Sequence, residues 1–363
     1  MKPIAISLIL FSAALLVGCT EAPLINTTTS STTTTTISFN TYTIDNSGNV
    51  GSNTSIALDT NNKAHISYCD VINQSLKYTD NTSGSWEITT VDSSGEVGQY
   101  SSLALDSANK SHISYYDFNH QNLKYATNNS GSWGTYTIDR PGDVGQKTSI
   151  AVRNNTVHIG YQDASNYTLK YATNRSGTWE AFTIDSAGMV GSWIAIAADS
   201  NNKAHIAYSN DLAFNLKYAT NRTGTWEIFT VDSTGEVGQY AAIATDSNNK
   251  VHISYYDMTN RDLKYASGEA NSWTAETIDS ADDVGQYASI AADSQNKVHI
   301  SYYDFTNQHL KYATNKSGSW KIYSVDSVGD VGKYTSIALD SNDRAHISYL
   351  DSGNLYLKYA VQN

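Results

Sequence analysis

Seven histidines recur along the chain at nearly constant spacing: His65, His112, His158, His205, His252, His299 and His346, in steps of 46 or 47 residues. Imidazole is the commonest metal-ligating side chain, so metal binding is the first chemistry such a series raises. Each His sits in a copy of KVHISYYD, which is written identically at Lys250–Asp257 and Lys297–Asp304. Zinc requires its nitrogens at ~2.0–2.1 Å from one ion. If the copies close into a ring, equivalent strand positions stand roughly 9–10 Å apart, given ~4.8 Å between neighbouring strands. One His per copy cannot converge on an ion, so a hydrogen-bonding role within each copy is expected and no metal. Asp246 is the natural hairpin partner of His252, although the third copy keeps His158 while placing Arg153 in the Asp position.

A second recurring group is acidic: DSTGEVG (232–238), with relatives DSSGEVG, DSADDVG and DSVGDVG. Carboxylates four apart in a Gly-bearing loop offer oxygens to calcium. The spacing matches no calcium motif, however, and the leading Asp also suits capping of turn amides. No other cofactor is expected. A third group is aromatic, since the chain holds 26 Tyr, many in register with these loops.

The elements that must position these groups follow from the repeat. One unit reads WEIFTVD–STGEVGQY–AAIATD–SNNK–VHISYYD–MTNRD–LKYAS from Trp226. It contains four strand-like runs separated by turn-rich connections, and hairpin-sized turns such as SNNK make neighbouring strands antiparallel. Seven such units predict an all-β, seven-bladed β-propeller with four strands per blade. The run FNTYTID (39–45) stands alone before the first unit, with Phe39 in the slot that Trp86, Trp133, Trp179, Trp226, Trp273 and Trp320 occupy elsewhere. The last unit ends in LYLKYA (355–360), lacking that strand. The N-terminal run is therefore expected to complete the last blade and close the ring, removing the exposed edge. The slot tryptophans read as wedges between outer strands, and pairs such as Leu263-Lys264 as a core Leu beside a solvated Lys.

Strand polarity collects the acidic loops and the ends of the second strands on one face. The candidate ligand-binding residues there are Tyr100, Tyr240, Tyr287 and Tyr334 with Glu236, Asp117, Asp257 and Asp304. Aromatic platforms beside acids and amides suit sugars, which stack on rings and hydrogen-bond through hydroxyls. The third and fourth copies diverge together on this face. Lys147 takes a Tyr slot, Gln162 another, Met189 the acid slot, Trp193 the slot of Tyr240, and Asn210 that of Asp257. Met189, Trp193 and Asn210 are thus further candidates, either as one divergent ligand site or as a patch on which a protein partner docks.

Composition excludes other classes. A net charge of −12 argues against nucleic acid, whose phosphates require clustered Lys and Arg. No G-x-S-x-G, H-E-x-x-H or P-loop is present. The N-terminal residues read as targeting: Lys2, then the apolar run 4–17, too short to span a bilayer, then Leu16-Val17-Gly18-Cys19. Residues 20–38 are Thr-rich and polar, a composition that does not fold, and read as a flexible linker ahead of a propeller at 39–363. Cys69, the other cysteine, sits in a Tyr slot and is given no chemistry. The propeller is expected to be monomeric.

Two resemblances add to this. Leu16–Cys19 resembles the lipobox of bacterial lipoproteins, which implies a signal peptide over 1–19, cleavage before Cys19 and lipidation of that residue. Thr20, where an inner-membrane retention signal would place Asp, points to the outer membrane or cell surface. From Phe39 to Tyr359 the units resemble secreted bacterial propellers built from D-S-x-N-K-x-H-I-S-Y-Y-D … L-K-Y-A repeats, and more distantly propeller lectins and the sialidase superfold. The lectin likeness implies sugars held between blades by residues such as Tyr240 and Asp257. The sialidase likeness would imply a glycosidase, but that superfold's three converging Arg are not recognisable among the six here, and Arg175 and Arg222 fall in turns of the opposite face. The expected function is a lipid-anchored envelope protein that binds a surface glycan or protein.

Overall fold

The computed structural model describes residues 37–363; the signal peptide, Cys19 and residues 20–36 of the linker lie outside the described residues. Twenty-eight strands form seven four-stranded antiparallel sheets. In the fifth blade Val237–Thr245 is innermost, followed outward by Val251–Asp257, Asp262–Glu269 and Ser272–Asp279. Inner strands of successive blades touch around the whole ring, the seventh against the first included. Closure is as expected: Phe39–Asp45 pairs antiparallel with Tyr356–Gln362, Phe39 opposite Gln362 and Thr43 opposite Lys358.

Packing between blades explains the repeated residues. Each slot aromatic lies edge-on against a third-strand Tyr of the preceding blade, Trp226 on Tyr171 at 4.9 Å and Phe39 on Tyr312 at 5.3 Å between centroids. The Gly that opens every inner strand permits the blades to approach. A Cβ on Gly238, at φ +99°, would stand 2.9 Å from the Leu216 backbone of the neighbouring blade. Isoleucines and tyrosines of the second strands are fully buried on both faces, as a strand covered by two neighbours requires.

The junctions are also polar, and here one expectation is corrected. Lys264 is buried, not solvated: its ammonium meets Asp232, the last residue of the preceding blade's outer strand, and Tyr255 donates to the same carboxylate oxygen at 2.7 Å. The other oxygen accepts the Thr234 amide. The Tyr–Asp bond recurs at all seven junctions at 2.6–2.8 Å. Lysine joins it at six, at Lys124, Lys170, Lys217, Lys264, Lys311 and Lys358. A Lys beside a core Leu reads as exposed because Lys is so seldom buried unless paired. The partner lies 32 residues upstream and only the fold brings it there.

The seven histidines are hydrogen-bonding groups of the blades. Nδ1 of His252 lies 2.6 Å from the Tyr265 hydroxyl and Nε2 lies 3.3 Å from Asp246. His158, whose copy lacks the Asp, turns Nε2 to Asn202 at 2.9 Å instead.

Acid should weaken the ring in two stages. Burial holds all seven imidazoles below their ordinary 6.5. The unfolded chain therefore takes up protons first as pH falls through 6.5, and stability drops from there downward. Burial pushes the Asp232 carboxyl up, but Lys264, Thr234 and Tyr255 together outweigh it and hold the group at about 2. Asp92, Asp185, Asp279 and Asp326 are likewise held low. Their contribution is complete above about pH 4 and is lost as pH falls through the lowered values. Calorimetric melting is expected to show a flat Tm between about pH 7 and 9, a decline beginning between pH 6.5 and 5, and a steeper one below pH 4. A Tm unchanged between pH 7.5 and 5 would rule out the role given to the histidines.

Candidate functional site

Each inner strand carries a bulge near its start. In the fifth blade Gln239 pairs with Tyr256 and Ala242 with Ser254, so Tyr240 and Ala241 together oppose Tyr255. Tyr240 takes a positive φ of 50°, the left-handed region in which bulky residues are rare. Bulges re-aim side chains near functional sites. The same conformation recurs in every blade, at Asn53, Tyr100, Lys147, Trp193, Tyr240, Tyr287 and Tyr334, with φ between 50° and 54°. All seven side chains line one funnel on the axis, with a volume of about 520 Å³.

This collar is closely packed. Ring centroids are 4.0 Å apart for Trp193–Tyr240, 4.6 Å for Tyr240–Tyr287 and 4.8 Å for Tyr287–Tyr334. The Lys147 ammonium extends this row to Tyr100, 4.5 Å from the Tyr100 centroid and 4.8 Å from that of Trp193. Burial, with neighbouring tyrosines, raises the phenols of Tyr240 and Tyr287, and that of Tyr334 to about 12. Their hydroxyls therefore stay protonated at neutral pH and can donate hydrogen bonds.

Beneath the collar the next residue of each inner strand forms a floor, and it is two-sided. Thr335, Thr54, Ser101 and Thr148 present hydroxyls, while Ile194, Ala241 and Ala288 are apolar. Floor hydroxyls of Thr54, Thr148 and Thr335 reach second-strand serines Ser348, Ser114 and Ser301, each at 2.9 Å. At the apolar side the partner has changed in two of three places, while Ser254, facing Ala288, keeps a buried hydroxyl without a partner among the described residues. Opposite Ile194 the serine position holds Gly160, where an added Cβ would stand 3.0 Å from Ile194 Cγ2. A small residue thus faces a large one across that contact, so the Ile194 side of the floor is packed by a compensating exchange. The collar divides with a boundary shifted by one blade: Trp193, Tyr240, Tyr287 and Tyr334 form a continuous aromatic arc, while Asn53 and Lys147 flank Tyr100 on the other side.

The tyrosines and Trp193 nominated from the sequence are thus brought together, but on the axis and not one per blade junction. The nominated aspartates are elsewhere. Asp117, Asp257 and Asp304 are buried, and their oxygens cap the turn leaving the second strand, as Asp257 does through the Asn260 amide and side chain at 3.1 and 3.0 Å. Asn210 caps the equivalent turn through Leu212 and Ala213. Met189 is exposed and lines neither the funnel nor the side cleft described next. Asn53, absent from the nominations, occupies the collar column of the first blade and was findable by aligning VGSN with VGQY.

The junctions around the funnel differ. Tyr116, Tyr256 and Tyr303 each donate to an Asp of the next blade's loop, Asp143, Asp283 and Asp330, at 2.6–2.9 Å. Where the Tyr is replaced by Cys69 or Ser209, that acid is Glu96 or Glu236, and a recess opens. The funnel extends to Cys69 and Glu96, while Ser209, Asn210, Phe214 and exposed Glu236 line a separate cleft of about 140 Å³ that shares Trp193. None of the six arginines lines the funnel.

The chain matches no protein-family model and no curated protein sequence. Solved structures do resemble it. A protein of unknown function from Dyadobacter fermentans superposes with a TM-score of 0.57 at 11% identity, covering 89% of this chain and 97% of that one. A mutant Aleuria aurantia lectin in complex with α-methyl-L-fucoside gives 0.53 at 14% identity, over 76% and 94% of the two chains. A PL25 ulvan lyase bound to a glucuronate–rhamnose-3-sulfate unit gives 0.57 at 10% identity, over 84% and 90%. At such identities the likeness is one of fold: the chain is a seven-bladed β-propeller.

The size exchange at the floor is open to test by denaturant melts. Gly160→Ser is expected to cost about 1–3 kcal/mol through overpacking, and adding Ile194→Thr should recover much of that. Costs that simply add would show that the two positions do not compensate each other.

Proposed function

We propose that this chain is a carbohydrate-binding lipoprotein of the bacterial cell envelope, with a single glycan site in the axial funnel. The observation that carries the reading is the broken symmetry of the collar and floor. At two successive levels aimed at one axis, an aromatic collar arc over an apolar floor at Ile194, Ala241 and Ala288 faces a side bearing the Asn53 amide, Lys147 and floor hydroxyls. A sugar ring has the same division, with C–H groups on its faces and hydroxyls at its edges. Stacking on Trp193 and Tyr240 would take the face, and Asn53, the phenols and the floor hydroxyls the edge. A volume of about 520 Å³ lies within the ~300–1,000 Å³ usual for small-molecule sites. Carbohydrate ligands occupy the Aleuria lectin and the ulvan lyase, to which this fold is similar. The anchor rests on the lipobox-like Leu16–Cys19, and the Thr-rich residues 20–38 would serve as the tether between it and the propeller.

A glycan-array screen of residues 20–363, followed by calorimetry on the hits, is expected to give a stoichiometry near one. Trp193→Ala should weaken binding at least tenfold, about 1.4 kcal/mol, and Tyr240→Ala by a similar factor. Several equivalent sites per chain, or one site indifferent to both changes, would overturn the axial placement. Separately, a fatty-acid analogue fed to an expressing bacterium should label the full chain and not Cys19→Ala. Equal labelling of the two would remove the anchor.

A further inference from the structure

We infer that the funnel selects glycans carrying an anionic group, a carboxylate or a sulfate, and that Lys147 is the residue that reads it. This deepens the glycan reading above and rests on it.

The funnel wall holds two charged side chains, Glu96 and Lys147. Glu96 is engaged, accepting the Gln99 side-chain amide at 3.0 Å. Lys147 differs from the lysines that hold the blade junctions. The six junction lysines each meet an aspartate, and Lys333, one residue before its own collar position, meets Asp330 at 2.7 Å. Among the described residues Lys147 makes neither an ion pair nor a side-chain hydrogen bond. What holds it is aromatic: the Tyr100 and Trp193 rings flank the ammonium at 4.5 and 4.8 Å. Two ring faces fix where the charge sits but provide no acceptor, so its N–H groups are left for whatever occupies the funnel. The backbone there adopts the same left-handed conformation as the tyrosine copies, so the Lys is aimed at the axis by the same bulge.

The protein's overall field works against an anionic ligand, which sharpens the inference. A protein of net charge −12 repels a polyanion at long range. That repulsion is screened over ~8 Å at physiological salt, while a contact inside the funnel is screened much less. The ligand that fits both conditions has an isolated acidic sugar in an otherwise neutral glycan. An ammonium is a point charge without the planar fork of Arg, so it accepts a carboxylate or a sulfate equally.

The test compares three digests of one uronic-acid-containing polysaccharide by affinity retention on residues 20–363: native, carboxyl-reduced to the neutral sugar, and sulfated after reduction. The native and sulfated digests are expected to be retained at least tenfold better than the neutral one. Lys147→Met, of similar length, should bring the ratio close to one, with Tm reporting that the ring is intact. Retention of the native digest alone assigns a carboxylate, and of the sulfated alone a sulfate. Equal retention of all three, or a preference unchanged in Lys147→Met, overturns the role of Lys147 and leaves the glycan reading standing. If no digest is retained while a neutral glycan scores on the array, the anion selectivity is wrong. If nothing is retained and the array is blank, the glycan reading falls with it.

Discussion

The ring depends on a carboxylate that crosses from each blade to the next. At every junction the Asp ending one outer strand gives one oxygen to a turn amide of its own loop and the other to a Tyr of the following blade. Ion pairs buried in this way are costly to desolvate, and an apolar substitute often stabilises as well. Their use here is better understood as registration. A hydrophobic interface between two twisted sheets tolerates sliding, whereas an Asp bound by Tyr, Lys and a backbone amide tolerates one position. Seven such fixings must agree for a ring to close, and the last one joins Asp45, on the N-terminal strand that completes the last blade against Tyr356–Gln362, to Tyr68 of the first. There the lysine is missing: Lys77 turns to Thr90 instead, so the Tyr–Asp bond is the part that cannot be dispensed with.

That fixed frame allows the inner strands to hold an unfavourable conformation. A bulky residue in the left-handed region costs on the order of 1–3 kcal/mol and persists only where its surroundings determine it. Seven occur at one level of this molecule, and each turns a side chain from the blade interior to the axis. The conformation does not depend on which residue occupies it, since Asn, Lys, Trp and Tyr all adopt it within 4° of one another (50° to 54°). The scaffold sets the direction and leaves the chemistry to substitution, which is how one funnel acquires two unlike arcs.

The fold was legible in the sequence because it follows from period and turn chemistry, which are local. The four-run unit, the closure through Phe39 and the Trp wedge all appear as residues in register. The site was legible only in part. VGQYAAIAT looks like a plain alternating strand, and nothing in its periodicity announces that Tyr240 and Ala241 share one partner. The tyrosines were therefore recognised as a class but assigned to a face instead of an axis. The carboxylates went the other way. Asp257 with Asn260 three residues on is a turn-capping pattern that could have been read locally, yet a ring of acids looks like a surface. Lys264 was misread because its partner depends on tertiary structure alone.

Repetition and recognition make opposite demands on this architecture. Copying a blade copies every group it carries, so a symmetric funnel would present seven identical contacts to a ligand that has no seven-fold axis. One bound molecule can use only a few of them, and the remaining orientations would be degenerate. Specificity must then come from positions where copies differ, and at one of them this chain has changed both sides of a contact, Ile194 with Gly160. Random drift has no reason to pair such changes across blades, since the second-strand residue and its neighbour's inner strand lie some thirty residues apart in sequence. Packing in the folded ring does supply that reason. That exchange lies under the arc between Lys147 and Tyr240, so the divergence of the third and fourth copies makes the funnel asymmetric within a symmetric frame.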